Sequence, residues 1–246
     1  MAKQLKLLED VPKSKTKVHI LKVFLKGSRM SENKDTWSRR SIVTGLSSAA
    51  LLSPSIAQAA ARCNLISPNV QRCDIGIPFV AMDHVAQGSR QVMQNWCWAA
   101  CISAIFRFHG HDVHQSQFVR KVYGGMVDQP ARGAEIFNAI NGRWRDNQNN
   151  VFTAEAEVLL DRSIGYANPN GVAIAVNDLA NNYPLIVGSN GHATVLTHMS
   201  YIEDRFGQYE ITGISVRDPW PQSPNLRPMT PQEYHNSIFL ARLRTR

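Results

Sequence analysis

The chain has 246 residues, of which 43% are apolar and 19% are charged, and its formal net charge is +8. This size and composition suit one globular domain with an additional segment. The basic excess lies at one end: residues 1–61 hold 11 of the 27 lysines and arginines and 4 of the 19 acidic residues, which leaves 16 basic against 15 acidic residues in 62–246. A near-neutral domain argues against a nucleic-acid partner, because nucleic-acid binding depends on clustered positive charge.

Residues 1–61 have the zones of an export signal. The segment WSRRSIV (37–43), with its adjacent arginines Arg39 and Arg40, is similar to the twin-arginine export signal. An uncharged, mildly apolar run extends to Leu52, and the small-x-small pattern at 57–59 is typical of a cleavage site. The sequence therefore predicts an N-terminal leader over residues 1–61 and an exported domain over 62–246.

The leader predicts the location of the protein. Cleavage is expected after Ala59 or Ala61, which would release the domain into the periplasm or outside the cell. The apolar run is about half of the ~20 residues that a membrane span requires, so no stable membrane anchor is expected. Residues 1–29 form an unusually long start for such a signal, and Met30 is a second candidate for the first residue of the protein.

Export affects the interpretation of the four cysteines, because thiols are oxidised outside the cytoplasm unless they are protected or used. Cys63 and Cys73 lie ten residues apart in a polar, turn-rich stretch. A local disulfide between them is the simplest pairing.

The segment QVMQNWCWAACISAIFRFHG (91–110) predicts an amphipathic helix. Apolar residues recur at three- and four-residue steps after Asn95, and Gly110 ends the pattern. Cys97 then lies at the start of the helix, where unpaired backbone N–H groups and the helix dipole favour a thiolate. Cys101 lies one turn later and is expected to be a thiol packed in the core, because disulfide geometry is difficult at this spacing.

Four further helices are predicted, each followed by a glycine or proline that would end it: residues 115–123, 131–141, 153–163 and 173–182.

Three histidines form a cluster where the first helix ends. The spacing of His109, His111 and His114 could hold a metal ion. Solvent-facing histidines at the end of a helix are the simpler interpretation, so neither a metal nor another cofactor is predicted.

A cysteine nucleophile needs a base, and His192 has the most suitable position. It opens the run HATVLTHMSYI (192–202), which follows Gly188 and Gly191 and is rich in strand-forming residues. We expect a strand that begins at His192. His198, six residues later, is interpreted as a hydrogen-bonded residue of the sheet.

The next predicted strand ends at a carboxylate. QYEITGISVRDPW (208–220) follows a turn and alternates up to Asp218. A hairpin would bring Asp218 close to His192, where it could fix the tautomer of the imidazole. A surface aspartate that enters a proline turn is the alternative. Further strands are expected near 185–188 and 237–244.

Three parts of the sequence together resemble the papain-like cysteine peptidases. The family has a glutamine six residues before the cysteine, Trp and Ala after the cysteine, a His-Ala pair at the start of a strand, and Asn or Asp two residues before Trp. The matching residues here are Gln91, Cys97-Trp98-Ala99, His192-Ala193 and Asp218-Pro219-Trp220. The NWCWAA form is similar to the bacterial branch of staphopain-like or secreted effector peptidases.

The resemblance implies a role for each residue. Cys97 would be the nucleophile, His192 its base and Asp218 the group that orients the histidine. The side chain of Gln91, with the backbone N–H of the cysteine, would stabilise the oxyanion. Trp220 would cover the hydrogen bond between the histidine and the aspartate and support the site.

The resemblance also implies an α+β fold, with N-terminal helices and a central catalytic helix packed on a C-terminal, antiparallel, barrel-like sheet. Ninety-five residues separate Cys97 from His192, fewer than the ~130 that are usual in the family, so the second half is expected to be compact. About thirty residues separate the cleavage site from Gln91, which leaves no room for a long propeptide. An oxidised Cys97 or an inhibitor partner would be other ways of restraining activity.

Peptide hydrolysis on a protein or peptide substrate is the function that the resemblance favours. Another cysteine-dependent acyl transfer, such as transglutaminase-like or amidase chemistry, uses the same three groups and remains open. A binding module without catalysis is the third alternative, and it would require three coincidences of local sequence.

Overall fold

The computed structural model describes residues 61–246. The twin-arginine segment, Met30 and the cleavage site after Ala59 lie outside the described residues. Within them, six helices and ten strands form a mixed α and β domain.

The helices include those predicted around the cysteine and at three of the other four segments. They are Phe79–Gln87 (α1), Cys97–Phe108 (α2), Gln115–Tyr123 (α3), Gly133–Ile140 (α4), Gly171–Ala180 (α5) and Pro231–His235 (α6). None of the helices between residues 61 and 246 is long and apolar enough to span a membrane.

The strands belong to one antiparallel sheet. They are Arg62–Ser67 (β1), Val70–Gly76 (β2), Gly142–Arg145 (β3), Val151–Asp161 (β4), Tyr166–Ala167 (β5), Leu185–Ser189 (β6), His192–Asp204 (β7), Tyr209–Arg217 (β8), Leu226–Pro228 (β9) and Ser237–Thr245 (β10). The main path runs β1-β2-β7-β6-β10-β4-β3, with β8 attached to β7, β9 to β8 and β5 to β4. The sheet is open over the described residues, so the antiparallel α+β fold is confirmed and the barrel-like closure is not found.

One predicted helix is wrong. Residues 153–163 lie mostly in strand β4, although their alanines, glutamates and leucines favour a helix locally. Strand β10 pairs with β4 from Phe239 opposite Asp161 to Thr245 opposite Ala154, and Phe152 and Ala154 turn into the core. Pairing across the sheet has overridden local propensity.

The turn-rich stretch after the leader forms the hairpin β1-β2. Cys63 and Cys73 lie directly opposite each other in this hairpin, and the predicted disulfide joins them. Every residue of β1 is exposed, whereas β2 pairs with β7 on its other side. The disulfide therefore ties the exposed edge strand β1 to β2, the next strand of the sheet.

Helix α2 is the centre of the core. Ten of its twelve residues are buried, and it packs against β7, α1 and α3. Because β7 begins at His192 and α2 begins at Cys97, this packing brings the two sequence-predicted groups to the same end of the helix and strand.

Candidate active site

Cys97 is the first residue of α2. The thiol is almost buried, with 8% of the residue exposed. The first N–H groups of a helix have no partner within it, and together with the dipole they favour negative charge at this position. The backbone N–H of Ala193 donates to Sγ of Cys97 over 3.4 Å. A thiolate at this sulfur would therefore be stabilised from both the helix and the strand.

Two tryptophans fix the start of the helix. Nε1 of Trp96 donates to the carbonyl oxygen of Val127 at 2.8 Å, and Nε1 of Trp98 donates to that of Gln129 at 3.2 Å. Both indole rings are buried. These contacts hold the cysteine against the loop that follows α3.

His192 enters the site from a tight turn. Asn190 and Gly191 have φ values of 52° and 76°, and this left-handed backbone reverses the chain between β6 and β7. Asparagine and glycine tolerate these angles, which are unfavourable for other residues. The turn places His192 as the first residue of β7, opposite Ser189 of β6.

The imidazole of His192 lies between the thiol and the carboxylate. Nε2 lies 2.8 Å from Oδ1 of Asp218, and the Cys97 side chain is close enough to the ring to affect its charge. Burial opposes a positive charge on the imidazole, but the contacts with Asp218 and Cys97 and their negative charges outweigh it and raise the pKa of His192 to about 9. The geometry therefore favours an imidazolium at neutral pH.

Asp218 follows the last residue of β8 and is 4% exposed. Burial would raise its pKa, but hydrogen bonds from His192, the backbone N–H of Trp220 and Arg227 outweigh the burial and lower the pKa to about 2. Trp220 donates to Oδ1 over 2.9 Å, and Nε of Arg227 donates to Oδ2 over 2.8 Å. The carboxylate is charged and held at both oxygens.

The loop that carries Asp218 is fixed by Arg90. Its Nη1 donates to the carbonyl oxygens of Asp218, Trp220 and Ser223 at 2.9, 2.6 and 3.0 Å. The backbone N–H of the next residue, Gln91, donates to the carbonyl oxygen of Pro219. The segment before α2 and the loop after β8 are thereby joined beside the thiol.

Gln91 lies at this junction with its side chain turned to its own loop. Its amide nitrogen donates to the carbonyl oxygens of Met93 and Gln94 at 3.0 and 2.9 Å, which occupies both N–H groups. The amide oxygen is buried without a hydrogen-bond partner. Its role as an oxyanion donor stays a prediction, as does the covering role of the Trp220 ring.

The second free thiol is separate from this chemistry. Cys101 is fully buried, and burial, with the charges of Cys97 and Asp218, raises its pKa well above the ordinary value. A buried, neutral thiol is a poor nucleophile. The prediction that Cys101 is a core residue is confirmed.

The three clustered histidines are distributed over different contacts. Among the described residues no group of three potential ligands could hold a metal ion. His114 accepts a hydrogen bond from the backbone of Ser116 as the N-cap of α3, and the ring of His111 stacks on Phe152. Burial and the charge of Arg244 lower the pKa of His109 to about 4, so this residue is neutral, and the expectation that it faces solvent is wrong.

Three residues of the site have no counterpart in the sequence analysis: Arg90, Arg227 and Glu233. The capping box Thr230-Pro-Gln-Glu233 predicts the start of α6, but sequence gives no signal that the preceding arginine reaches Asp218.

Comparison with models of known protein families gives no match, and comparison with curated proteins gives none either. The functional assignment therefore depends on the geometry of this site.

Proposed function

We propose that the chain is an exported papain-like cysteine peptidase that hydrolyses peptide bonds through a Cys97 thioester. The observation that carries the proposal is the position of His192, whose imidazole is hydrogen bonded to Asp218 and lies beside the Cys97 thiol, to which the next residue, Ala193, donates its backbone N–H. This arrangement pairs a nucleophile, a base and an orienting carboxylate.

The first half of the reaction forms an acyl-enzyme. The sulfur of Cys97 attacks the carbonyl carbon of the scissile peptide bond, and the oxygen becomes negative in the tetrahedral intermediate. The imidazolium of His192 gives its proton to the leaving amine as the C–N bond breaks. Asp218 holds the ring in the tautomer that this transfer needs.

The second half uses water. His192, now neutral, removes a proton from water as the oxygen attacks the thioester carbon. The carboxylic acid leaves as the C–S bond breaks, and the proton on His192 restores the ion pair with Cys97. For Gln91 to stabilise the oxyanion, one of its amide N–H groups must leave the carbonyl of Met93 or Gln94.

The leader and the disulfide support the exported part of the proposal. A bond between Cys63 and Cys73 is compatible with an oxidising compartment, which the twin-arginine-like segment would reach. The substrate would be a protein or peptide met in the periplasm or outside the cell.

Mass spectrometry of a mixture of unlabelled peptides incubated with the reduced protein tests the proposal. New fragments with free carboxyl and amino termini, absent with Cys97→Ala, are the expected result. Fragments joined to an added amine instead would identify acyl transfer as the main reaction. An unchanged mixture after incubation with folded protein would contradict both.

A further inference from the structure

The carboxylate of Asp218 has a second cationic partner besides the histidine. Oδ1 faces Nε2 of His192, and Oδ2 accepts from Nε of Arg227, both at 2.8 Å. Arg227 lies on β9, opposite Val216 near the end of β8, so it reaches the carboxylate from the strand beside it. Each carboxylate oxygen is thus held by a different side chain, and the carboxyl group cannot rotate without losing one of these two hydrogen bonds.

The arginine is itself held by a glutamate. Nη2 and Nη1 of Arg227 donate to Oε1 and Oε2 of Glu233 at 2.8 and 3.0 Å, a two-point contact that fixes the plane of the guanidinium. Glu233 belongs to the capping box of α6, where its Oε2 also accepts the backbone N–H of Thr230. The orientation of the arginine is therefore set by a capped helix.

This chain of contacts returns to the histidine. The carbonyl oxygen of Glu233 accepts a hydrogen bond from the hydroxyl of Ser189, a buried residue. Ser189 pairs with His192 across β6 and β7. The contacts form a closed ring, which runs from His192 through Asp218, Arg227, Glu233 and Ser189 back to His192.

We propose that Arg227, anchored by Glu233, is a positioning residue that fixes the ionised Asp218 carboxylate, so that the His192 imidazolium is held in place beside Cys97. This inference rests on the proposed function. Among residues 61–246, the side chain of Arg227 donates to Asp218, Pro228 and Glu233 and to neither the thiol nor the imidazole, so its effect passes through Asp218.

The charges around Asp218 predict how the loss of Arg227 would change the site. The ionisable groups that act on its side chain are His192 and Arg227. Its charge in turn affects the Cys101 thiol, Cys97 acts on His192, and Arg90 binds its backbone oxygen. Arg227 is one of the two side-chain cations that stabilise the buried negative charge. Without it, the carboxyl group would be free to rotate and would take up a proton at a higher pH. The imidazolium would then be held less firmly beside Cys97 and would stabilise the thiolate less.

The rate at which iodoacetamide alkylates Cys97 of the full chain, measured against pH, tests this inference. With Arg227→Gln the acid limb of the profile is expected to move up by about one pH unit, which is about a tenfold loss of rate on that limb. The kcat for peptide cleavage is expected to fall about tenfold with little change in KM, because the loss affects the reacting groups and not substrate binding.

Arg227→Lys separates charge from geometry. Lysine keeps the positive charge but lacks the planar fork, so the acid limb should stay near that of the wild type while kcat falls. This variant also decides the question if Arg227→Gln fails to fold. The matched control is Arg242→Gln, which removes an arginine that pairs with Asp178 and Glu157, away from the site.

Arg242→Gln is expected to lower Tm and to leave the acid limb unchanged. The inference is overturned if Arg227→Gln gives the same profile as Arg242→Gln, or if Arg227→Lys keeps the wild-type kcat. In either case, alkylation of Cys97 and cleavage by the wild type would leave the proposed function standing. A wild-type Cys97 that is alkylated no faster than an ordinary thiol would overturn both.

Discussion

Replacing Asp218 with asparagine should reduce activity strongly at alkaline pH and only slightly at acid pH. Asparagine keeps an oxygen that can accept from Nε2 of His192 but removes the negative charge. That charge is among the groups that raise the pKa of His192 from 6.5 to about 9. Without it the pKa of the imidazole should fall from about 9 towards 6.5, because burial disfavours the charged form and only Cys97 still raises the pKa.

The size of the effect follows from these values. At about pH 8, an imidazole with a pKa of about 9 is about 90% protonated, and one with a pKa of 6.5 is about 3% protonated, so the protonated fraction falls by about 30-fold at most. At about pH 6 both are mostly protonated, and the same calculation gives a loss of less than about twofold. In the proposed mechanism the imidazolium protonates the leaving amine, so kcat/KM should follow these protonated fractions.

The assay is kcat/KM of a fluorogenic peptide for the wild type and Asp218→Asn across this pH range. The alkaline limb of the wild type should have a midpoint near 9, and the midpoint of the variant should move down towards 6.5. A loss by the same factor at every pH would show that Asp218 acts by geometry alone. Equal activity of the two proteins would remove Asp218 from the site.

Three further predictions concern stability. Asp178→Ala leaves Arg242 and Arg244 of β10 without their buried partner. It should lower the free energy of unfolding by about 3–5 kcal/mol and Tm by about 6–20 °C in calorimetry. The rate of Cys97 alkylation should change by less than about twofold. The double replacement of Cys63 and Cys73 by serine removes a short covalent loop and should lower Tm by about 6–12 °C with activity retained; an unchanged Tm would refute this. The raised pKa of His192 stabilises the fold fully below pH 6.5, and this stabilisation is lost towards about 9; the difference in Tm between the wild type and His192→Ala should shrink across that range.

The elements that carry the chemistry could be predicted from sequence because their signals are local. The apolar spacing after Asn95 located the start of α2 at Cys97, and the alternation before Asp218 located the end of β8. The hairpin between β7 and β8 then required the histidine and the aspartate to lie close together, and the structure has them 2.8 Å apart.

The remaining features depend on contacts between distant parts of the chain. Residues 153–163 favour a helix by composition and form a strand because β10 pairs with them. Arg227 resembles any exposed arginine in the sequence, and only the pairing of β9 with β8 brings it to Asp218. The side-chain direction of Gln91 depends on the carbonyls of its own loop, which no sequence pattern reports.

The most direct test of the central claim is covalent labelling of the reduced protein by a biotinylated epoxide inhibitor of papain-like enzymes at neutral pH. We expect a single label on Cys97 in the wild type and in a Cys101→Ala control, and none in Cys97→Ala or His192→Ala. Folded wild-type protein that takes no label, or labelling that persists in His192→Ala, would contradict the claim that Cys97 is activated by His192.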